Sequence, residues 1–344
     1  MPYNDHYVII GNGPAGNNAA GSLRRNDRQA RITIISDEFV PFYYKPRLTG
    51  FIEGRIDKKN LMAASLESYR KQDIRLRLGQ KVERVDPATH TLFLHHMEKI
   101  KYTGLVIASG SRARLLPCLA PFAAHMHFLS SYTDVMEYKN LIRSSKEFFI
   151  FGGDLVGFQF LKTLVSMGRN VSIMIHPDAF WPHELTGEMM DTIFTSLSRL
   201  PVHIIINDTI AKIDKPAGKP YRIVTRRGLE KDADMIMACN GLIPNIEFLK
   251  GSGLELDRGV IVDEYLKTGI DDIYACGSCA QVYNPSLKAY STTIGWPNAS
   301  VQGEIAAMNL LCDHRIIDSA PRKYFDLQGI RIKTTWWEDI DEKY

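Results

Sequence analysis

The chain has 344 residues, 45% of them apolar, which is enough to bury two separate cores, so two domains are expected. The 42 Lys and Arg residues against 39 Asp and Glu leave a net charge of +3, too small and too evenly spread to indicate binding to nucleic acid or to an anionic membrane. No apolar run is long enough for a transmembrane segment, the first strand follows Met1 too closely for a signal peptide, and the five cysteines are an odd number in apolar surroundings, so we expect a cytoplasmic protein with free thiols.

Two copies of a strand, glycine loop, helix and strand pattern lie about 140 residues apart. The first runs from an apolar segment at 6–10 to a strand at 31–36, and the second from 147–151 to 170–175. Between them, residues 74–98 alternate short apolar runs with turn residues, which predicts an antiparallel crossover. Two more buried strands are predicted within 232–241 and 271–277. The pattern indicates an α/β fold.

The first glycine loop has the context of a dinucleotide-binding turn. Its residues are Gly11, Gly13, Pro14, Ala15 and Gly16, and an acid, Asp37, comes 21 residues after Gly16. In such a loop the first glycine permits a tight turn, the second lets the backbone reach a pyrophosphate, and the third lets helix and strand pack closely. The helix N-terminus adds a partial positive charge. We expect Asp37 to accept the ribose hydroxyls of an adenosine.

At these motifs the sequence resembles the FAD-dependent pyridine nucleotide-disulfide oxidoreductase superfamily, in its rubredoxin reductase and nitrite reductase flavin-domain branch. The segment Phe42-Tyr-Tyr-Lys-Pro-Arg-Leu48 resembles the one that covers the flavin, and 102–111 resembles the strand that ends in Ala-Thr-Gly. The resemblance implies an FAD site that includes, besides the loop and Asp37, the residues Glu38, Lys45, Pro46, Arg47, Val82, Ala108, Ser109, Gly110, Gly277, Ser278 and Trp296. Ser278 departs from the usual aspartate beside the ribityl chain, and a neutral hydroxyl binds there more weakly than a carboxylate.

The same resemblance implies two Rossmann-like dinucleotide-binding domains of the three-layer ββα type, the second inserted in the first, with a truncated C-terminal region. We expect residues 1–113 and 244–320 to form the FAD-binding domain, residues 114–243 to form an NAD(P)-binding-like domain with a degenerate loop, and residues 321–344 to form a short C-terminal segment.

The second glycine loop departs from the pattern that binds NAD(P)H. It has Gly152 and Gly157, but Asp154 stands where the central glycine would let the backbone touch a pyrophosphate. A like charge at about 4 Å and an effective dielectric of about 20 costs about 4 kcal/mol, or roughly three decades in affinity. The second strand also ends in Ile175-His176, without a ribose-binding acid. NAD(P) binding is therefore doubtful, although a rotated Asp154 side chain would leave the loop usable, and His176 would slightly favour NADPH.

No catalytic acid, base or metal site is predicted. The resembled ferredoxin reductases place a Lys and a Glu beside the flavin, where this chain has Gly50 and the Phe158-Gln159 step. Cys276 and Cys279 have the spacing of a redox pair, but both positions are also suited to small buried side chains, and we favour packing. Hydride and electron transfer depend on the cofactor more than on proton shuttling.

These observations favour an FAD-dependent oxidoreductase that passes electrons between flavin and an iron–sulfur or other electron-carrier protein of the ferredoxin or rubredoxin type, as a subunit of a larger, hetero-oligomeric redox complex. The first alternative is an NAD(P)H:ferredoxin or rubredoxin reductase with a working nicotinamide site. The second is a non-catalytic, flavin-stabilised assembly protein. Trp336 and Trp337 beside acidic residues suggest a docking patch for an electron carrier, with local packing as the alternative.

Overall fold

The computed structural model describes residues 5–180, 187–284, 288–292, 295–317, 323–327 and 330–334. Trp336 and Trp337, and with them the predicted docking patch, lie outside these residues. The helices in chain order are α1 Pro14–Asn26, α2 Leu48–Glu53, α3 Lys58–Leu61, α4 Leu66–Lys71, α5 Tyr132–Ser144, α6 Leu155–Ser166, α7 Gly187–Leu197 and α8 Trp296–Leu310. The strands are β1 His6–Ile10, β2 Arg31–Ile35, β3 Ile74–Arg77, β4 Val82–Asp86, β5 Thr91–Leu94, β6 Lys99–Lys101, β7 Gly104–Ile107, β8 Ser111–Ala113, β9 Glu147–Gly152, β10 Asn170–Ile175, β11 Val202–Ile205, β12 Ile210–Asp214, β13 Tyr221–Thr225, β14 Glu230–Ala233, β15 Met235–Cys239, β16 Leu242–Pro244, β17 Val260–Val262, β18 Ile273–Ala275, β19 Ala280–Asn284, β20 Ala289–Thr292, β21 Lys323–Leu327 and β22 Ile330–Thr334.

The first sheet is parallel and has five strands in the order β18, β7, β1, β2, β3. Every residue of β1 and β7 is buried, as is typical of a parallel sheet covered on both faces. Helices α1 and α8 pack closely against each other because Gly303 carries no side chain. A Cβ at Gly303 would collide with the carbonyl oxygen of Ala15. This contact brings the N-terminal part of the chain against its later part.

The second sheet is also parallel, with four strands in the order β11, β10, β9, β15. Along β9 the side chains alternate between two cores. Phe148 and Ile150 join the core that includes α6, whereas Phe149 and Phe151 join the core that includes the antiparallel sheet β12, β13, β14. An antiparallel sheet, a parallel sheet and a helix layer are thus stacked, which is the predicted three-layer arrangement.

The chain leaves the first sheet after β7, builds the second sheet, and returns to the first sheet at β18. The two connections pair with each other, since β8 and β16 form a two-stranded antiparallel sheet. The predicted crossover at 74–98 contains the edge strand β3 and most of an antiparallel sheet formed by β4, β5 and β6. The predicted fold class is therefore confirmed, whereas the domain boundaries stay predictions.

Candidate functional site

The first glycine loop is shaped for a bound anion. Gly11 has a φ of +110°, and a Cβ there would collide with the carbonyl oxygen of Ala108, while a Cβ at Gly16 would collide with the carbonyl oxygen of Gly11. Around Gly13, by contrast, a Cβ would have no atom within 4 Å. Gly13 precedes α1, and no side chain caps that helix. The open backbone and the uncapped helix N-terminus fit the pyrophosphate of a dinucleotide.

A tyrosine on α4 braces this loop. The Tyr69 hydroxyl lies 2.6 Å from Asn17 Oδ1 and 3.0 Å from Asn12 Oδ1, and Asn17 Nδ2 donates to Asn12 Oδ1 at 2.7 Å and to the Gly13 carbonyl at 3.2 Å. The network holds the loop between β1 and α1 in one conformation. Sequence reasoning missed these residues, because the loop motif leaves the positions of both asparagines unspecified and Tyr69 is 52 positions from Asn17.

The residues predicted for the ribityl side of the site come together. Gly277 has a φ of +75°, and its Cβ position lies 3.1 Å from the Ala15 side chain at the start of α1. Ser278 Oγ lies 3.0 Å from Ser111 Oγ and faces the turn at Gly110. The end of β7, the segment after β18 and the N-terminus of α1 therefore meet at one place.

Aromatic side chains connect the predicted covering segment to α8. The rings of Phe42 and Trp296 stack with centroids 5.0 Å apart, and Tyr44 lies 5.5 Å from Trp296. The guanidinium carbon of Arg47 is 4.4 Å from the centre of the Tyr44 ring. Lys45, Pro46 and Arg47 form a 3-10 helix that precedes α2. Trp296 is the first residue of α8, whose N-terminus has no side-chain cap.

The residues predicted for the adenosine side lie after the end of β2 and at the start of β4. Asp37 is exposed, whereas Glu38 is largely buried and its Oε1 accepts a hydrogen bond of 3.1 Å from the Tyr43 hydroxyl. Burial raises the pKa of the Glu38 carboxyl, and the charge of Lys45 acts in the opposite direction. Val82 is a buried residue at the first position of β4. Together with the loop, these residues fit an FAD.

The second loop differs from the first in its polar contacts. Asp154 precedes α6 and caps it, because its Oδ1 accepts from the Gly157 amide at 2.8 Å. Its Oδ2 accepts from the Gly241 amide at 2.6 Å. The side chain is only 6% exposed, and burial raises the pKa of Asp154 to about 6. The predicted carboxylate is thus present at this helix end, where it is bonded to one amide of the first helical turn and to one amide after β15.

Strand register relates the two strand ends that follow the glycine loops. In the second unit Gly152 pairs with Ile175, and in the first unit the last pair, Ile10 with Ile35, places Ser36 beside Gly11. The next residues, Asp37 and His176, are therefore counterparts. Ile175 is 3% exposed and packs in the core, so an acid at that position would be buried, whereas His176 is only partly buried. His176 is thus the counterpart of Asp37 in this register, and the acid expected at Ile175 stays a prediction.

The two closely spaced cysteines lie in the protein interior. Cys276 and Cys279 are both fully buried free thiols, and burial raises the pKa of each. Cys279 Sγ contacts the carbonyl oxygens of Ile107 at 3.4 Å and Cys276 at 3.3 Å. A raised pKa and a dry environment disfavour the thiolate, which is the reactive form. The geometry supports packing over redox exchange.

Replacing Cys279 with serine should therefore leave the rates of flavin reduction and reoxidation within a few-fold of the native values. The serine hydroxyl would donate to the same two carbonyl groups. Stopped-flow absorbance measures both rates, and the exposed Cys312→Ser is the matched control. If Cys279→Ser blocked electron transfer while the protein still folded and held its flavin, the cysteine pair would be redox-active.

Among the described residues, no group of three or more His, Cys, Asp or Glu side chains is placed to hold a metal ion. None of the described helices is long and apolar enough to cross a bilayer.

Comparison with known proteins identifies the family. The chain is 28% identical to rhodocoxin reductase of Rhodococcus erythropolis over 79% of its length and 64% of that protein. It is 29% identical to NADH-rubredoxin oxidoreductase of Clostridium acetobutylicum over 88% of its length and 73% of that protein. The solved covalent complex of putidaredoxin reductase with putidaredoxin has the same fold, with a TM-score of 0.85 at 24% identity over 96% of this chain and 81% of that one.

The family model described as pyridine nucleotide-disulphide oxidoreductase matches residues 5–303. The proteins of this family are FAD-dependent oxidoreductases, and one of the named relatives is an NADH-rubredoxin oxidoreductase, so the predicted enzyme class, the flavin cofactor and the resemblance to rubredoxin reductases are confirmed. This chain belongs to the pyridine nucleotide-disulphide oxidoreductase family.

Proposed function

We propose that this protein exchanges electrons between its FAD and a small iron–sulfur or similar electron-carrier protein, and that nicotinamide dinucleotides are poor donors to it. The observation that carries the proposal is the contrast between the two glycine loops. The N-terminus of α1 is uncapped and open at Gly13, whereas that of α6 is capped by the buried carboxylate of Asp154. This contrast supports one open dinucleotide site and a second site that the protein itself closes.

The residues of the open site have distinct tasks. The first-turn amides of α1 would bind the pyrophosphate, and Ser278 would donate to a ribityl hydroxyl. The uncapped N-terminus of α8, which begins at Trp296, would place its partial positive charge toward the flavin ring. The bound flavin would supply a centre that accepts and releases one or two electrons.

Electrostatics disfavours nicotinamide at the second site. At pH 7 a carboxyl group with a pKa of about 6 is mostly ionised, so Asp154 presents a negative charge. A phosphate charge at about 4 Å from it costs about 4 kcal/mol at an effective dielectric of about 20. The donors that would offset this cost, the Gly157 and Gly241 amides, are already bonded to Asp154.

The proposed partner class follows from the relatives. One is an NADH-rubredoxin oxidoreductase, and the structural neighbour was solved in complex with putidaredoxin. By analogy with these proteins, the proposed partner is a small electron-carrier protein that forms a hetero-oligomeric complex with this chain. In that complex the partner supplies the electrons that a nicotinamide would supply in an NADH-dependent reductase. We place this complex in the cytoplasm.

Anaerobic mixing with reduced carrier proteins tests the proposal. Chemically reduced ferredoxin-type and rubredoxin-type proteins should each be offered to the FAD-loaded chain, and flavin bleaching should be followed in a stopped-flow instrument. We expect at least one carrier to bleach the flavin rapidly, with a rate that saturates as carrier concentration rises. Bleaching that stays slow and strictly second order with every carrier, as for free FAD, would contradict the proposal.

The second candidate is an NAD(P)H-dependent reductase, and the names of the relatives favour it. It requires Asp154 to release the two amides and turn away when a dinucleotide binds. The same instrument distinguishes this candidate, because it predicts rapid bleaching by micromolar NADH or NADPH.

A further inference from the structure

Tyr69 lies between two separate parts of the predicted flavin site. It is a buried residue of α4, and its hydroxyl is 2.6 Å from Asn17 Oδ1 on α1. Asn17 Nδ2 in turn donates to the carbonyl oxygens of Asn12 at 2.9 Å and Gly13 at 3.2 Å. The backbone of the glycine loop is therefore held by a side chain that Tyr69 orients.

The same hydroxyl also contacts the segment before α2. Burial raises the pKa of Tyr69 to about 12, and the hydrogen bond that the Phe42 backbone amide donates to the hydroxyl is the largest of the effects that oppose this rise. The Phe42 carbonyl accepts from the Ala63 amide at 2.9 Å and from the Ala64 amide at 3.1 Å. Both backbone polar groups of Phe42 are thus bonded to residues that lie in α4 or just before it.

Phe42 extends this connection to the aromatic side chains beside α8. We call Phe42, Tyr44 and Trp296 the aromatic cover, in which the rings of Phe42 and Trp296 stack at 5.0 Å with an angle of 13° between their planes. Trp296 is the first residue of α8, whose N-terminus has no side-chain cap. A continuous chain of contacts therefore runs from the glycine loop at the start of α1, through Tyr69 and Phe42, to the start of α8.

The Tyr69 hydroxyl, and not its ring, makes this connection. Tyr102 belongs to the same core and is equally buried, yet its hydroxyl has no hydrogen-bond partner among the described residues. A buried tyrosine can thus fill this core by packing alone, without using its hydroxyl. At Tyr69 the hydroxyl has partners on two different segments of the chain.

We propose that the Tyr69 hydroxyl couples the glycine loop to the aromatic cover, so that FAD bound at the loop and the stacking of Phe42 on Trp296 stabilise each other. Tyr69 is a positioning residue, because it acts through Asn17 and Phe42. When one of two connected segments is already ordered, ordering the other loses less conformational entropy, which makes the two events cooperative. The inference rests on the proposed flavin site and adds the residue that makes its two parts cooperate.

A double-mutant cycle on FAD affinity tests this coupling. The full-length chain is stripped of flavin and titrated with FAD, and binding is followed by the quenching of flavin fluorescence. Asn17→Leu breaks the connection at the loop and Phe42→Leu removes the stacked ring, singly and together, and the same four chains are then prepared with Tyr69→Phe. The matched control is Tyr102→Phe, which removes a hydroxyl without a partner from the same core.

In the native background we expect Asn17→Leu and Phe42→Leu each to weaken FAD binding about fivefold, the effect of one lost hydrogen bond or ring contact. Together they should weaken it about eightfold, whereas independent effects would multiply to about 25-fold, because both changes break the same connection. Tyr69→Phe alone should weaken binding about fivefold, and in its presence the other two effects should multiply independently. Tyr102→Phe should change the affinity by less than about twofold.

A purely structural role for Tyr69 would weaken binding and lower the melting temperature, but it would leave the departure from independent effects unchanged. That result in the Tyr69→Phe background would overturn the inference, as would independent effects in the native background. The native cycle decides by itself if Tyr69→Phe does not fold. No electron carrier takes part in this test, whereas failure of the native chain to bind FAD would contradict the proposed function itself.

Discussion

Gly13→Asp should abolish the retention of FAD. The substitution would place a carboxylate in the open space above Gly13, where it would cap α1 and take the amides that the pyrophosphate needs. Asp154 shows that a loop of this kind folds with an aspartate at this position. With about 4 kcal/mol lost for each close like charge, the affinity should fall by roughly three decades or more. Absorbance of the purified protein and mass spectrometry of the heat-released flavin measure the loss.

A carboxylate further along the same helix provides the control. Gly21→Asp adds the same charge to α1, and the nearest atom to a Cβ there is the flexible guanidinium of Arg25, at 3.4 Å. This variant should retain FAD. If Gly13→Asp also retained FAD with native affinity, the pyrophosphate would not lie at the first glycine loop. Release of FMN in place of FAD from the native protein would contradict the adenosine part of the site.

The second large effect is expected from reopening the second loop. Asp154→Gly combined with His176→Asp should raise the affinity for NADH by up to about three decades. The first change frees two amides and removes a charge, and the second places an acid at the counterpart of Asp37. Replacing an N-cap aspartate with glycine costs only a few tenths of a kcal/mol, so the helix should remain folded. Binding is measured by NADH fluorescence and by flavin bleaching.

Asp154→Ser is the matched variant, since serine also caps a helix but carries no charge. Its NADH affinity should lie between those of the native and double variants. If the double variant folded and bound NADH no better than the native chain, the closure of this site would have a cause other than Asp154.

The electrostatic part of the closure should depend on pH. Burial raises the pKa of Asp154 from 3.8 to about 6, so the carboxyl is mostly ionised at pH 7 and mostly protonated at pH 5. Weak NADH binding to the native protein should therefore strengthen as the pH falls from 7 to 5. The same change should not occur in Asp154→Ser. A native affinity that is constant over this range would show that charge repulsion contributes little.

The fold was predictable because its strongest signals are local. The glycine loops, the flanking apolar strands and the alternating segment at 74–98 each lie in one short stretch of sequence, and the sheet order agrees with them. The contacts that decide how each loop works are not local. Asp154 bonds to Gly241, 87 positions away, and the Tyr69 hydroxyl reaches Asn12 across 57 positions.

Structural contacts between distant residues also bear on the position expected for a ribose-binding acid. From sequence alone, Ile175 ends the second strand at the place expected for an acid, whereas the strand register makes His176 the counterpart of Asp37. Which amides an aspartate side chain occupies is likewise a property of the packed loop.

An anaerobic titration of the FAD-loaded native protein at pH 7 tests the central claim most directly. Flavin absorbance is recorded as micromolar NADH is added, and then as a low-potential one-electron donor is added to the same sample. We expect NADH to leave the flavin oxidised and the one-electron donor to bleach it completely. Rapid, stoichiometric bleaching by micromolar NADH would contradict the account, because it would mean that Asp154 yields its two amides and that the second loop admits a dinucleotide.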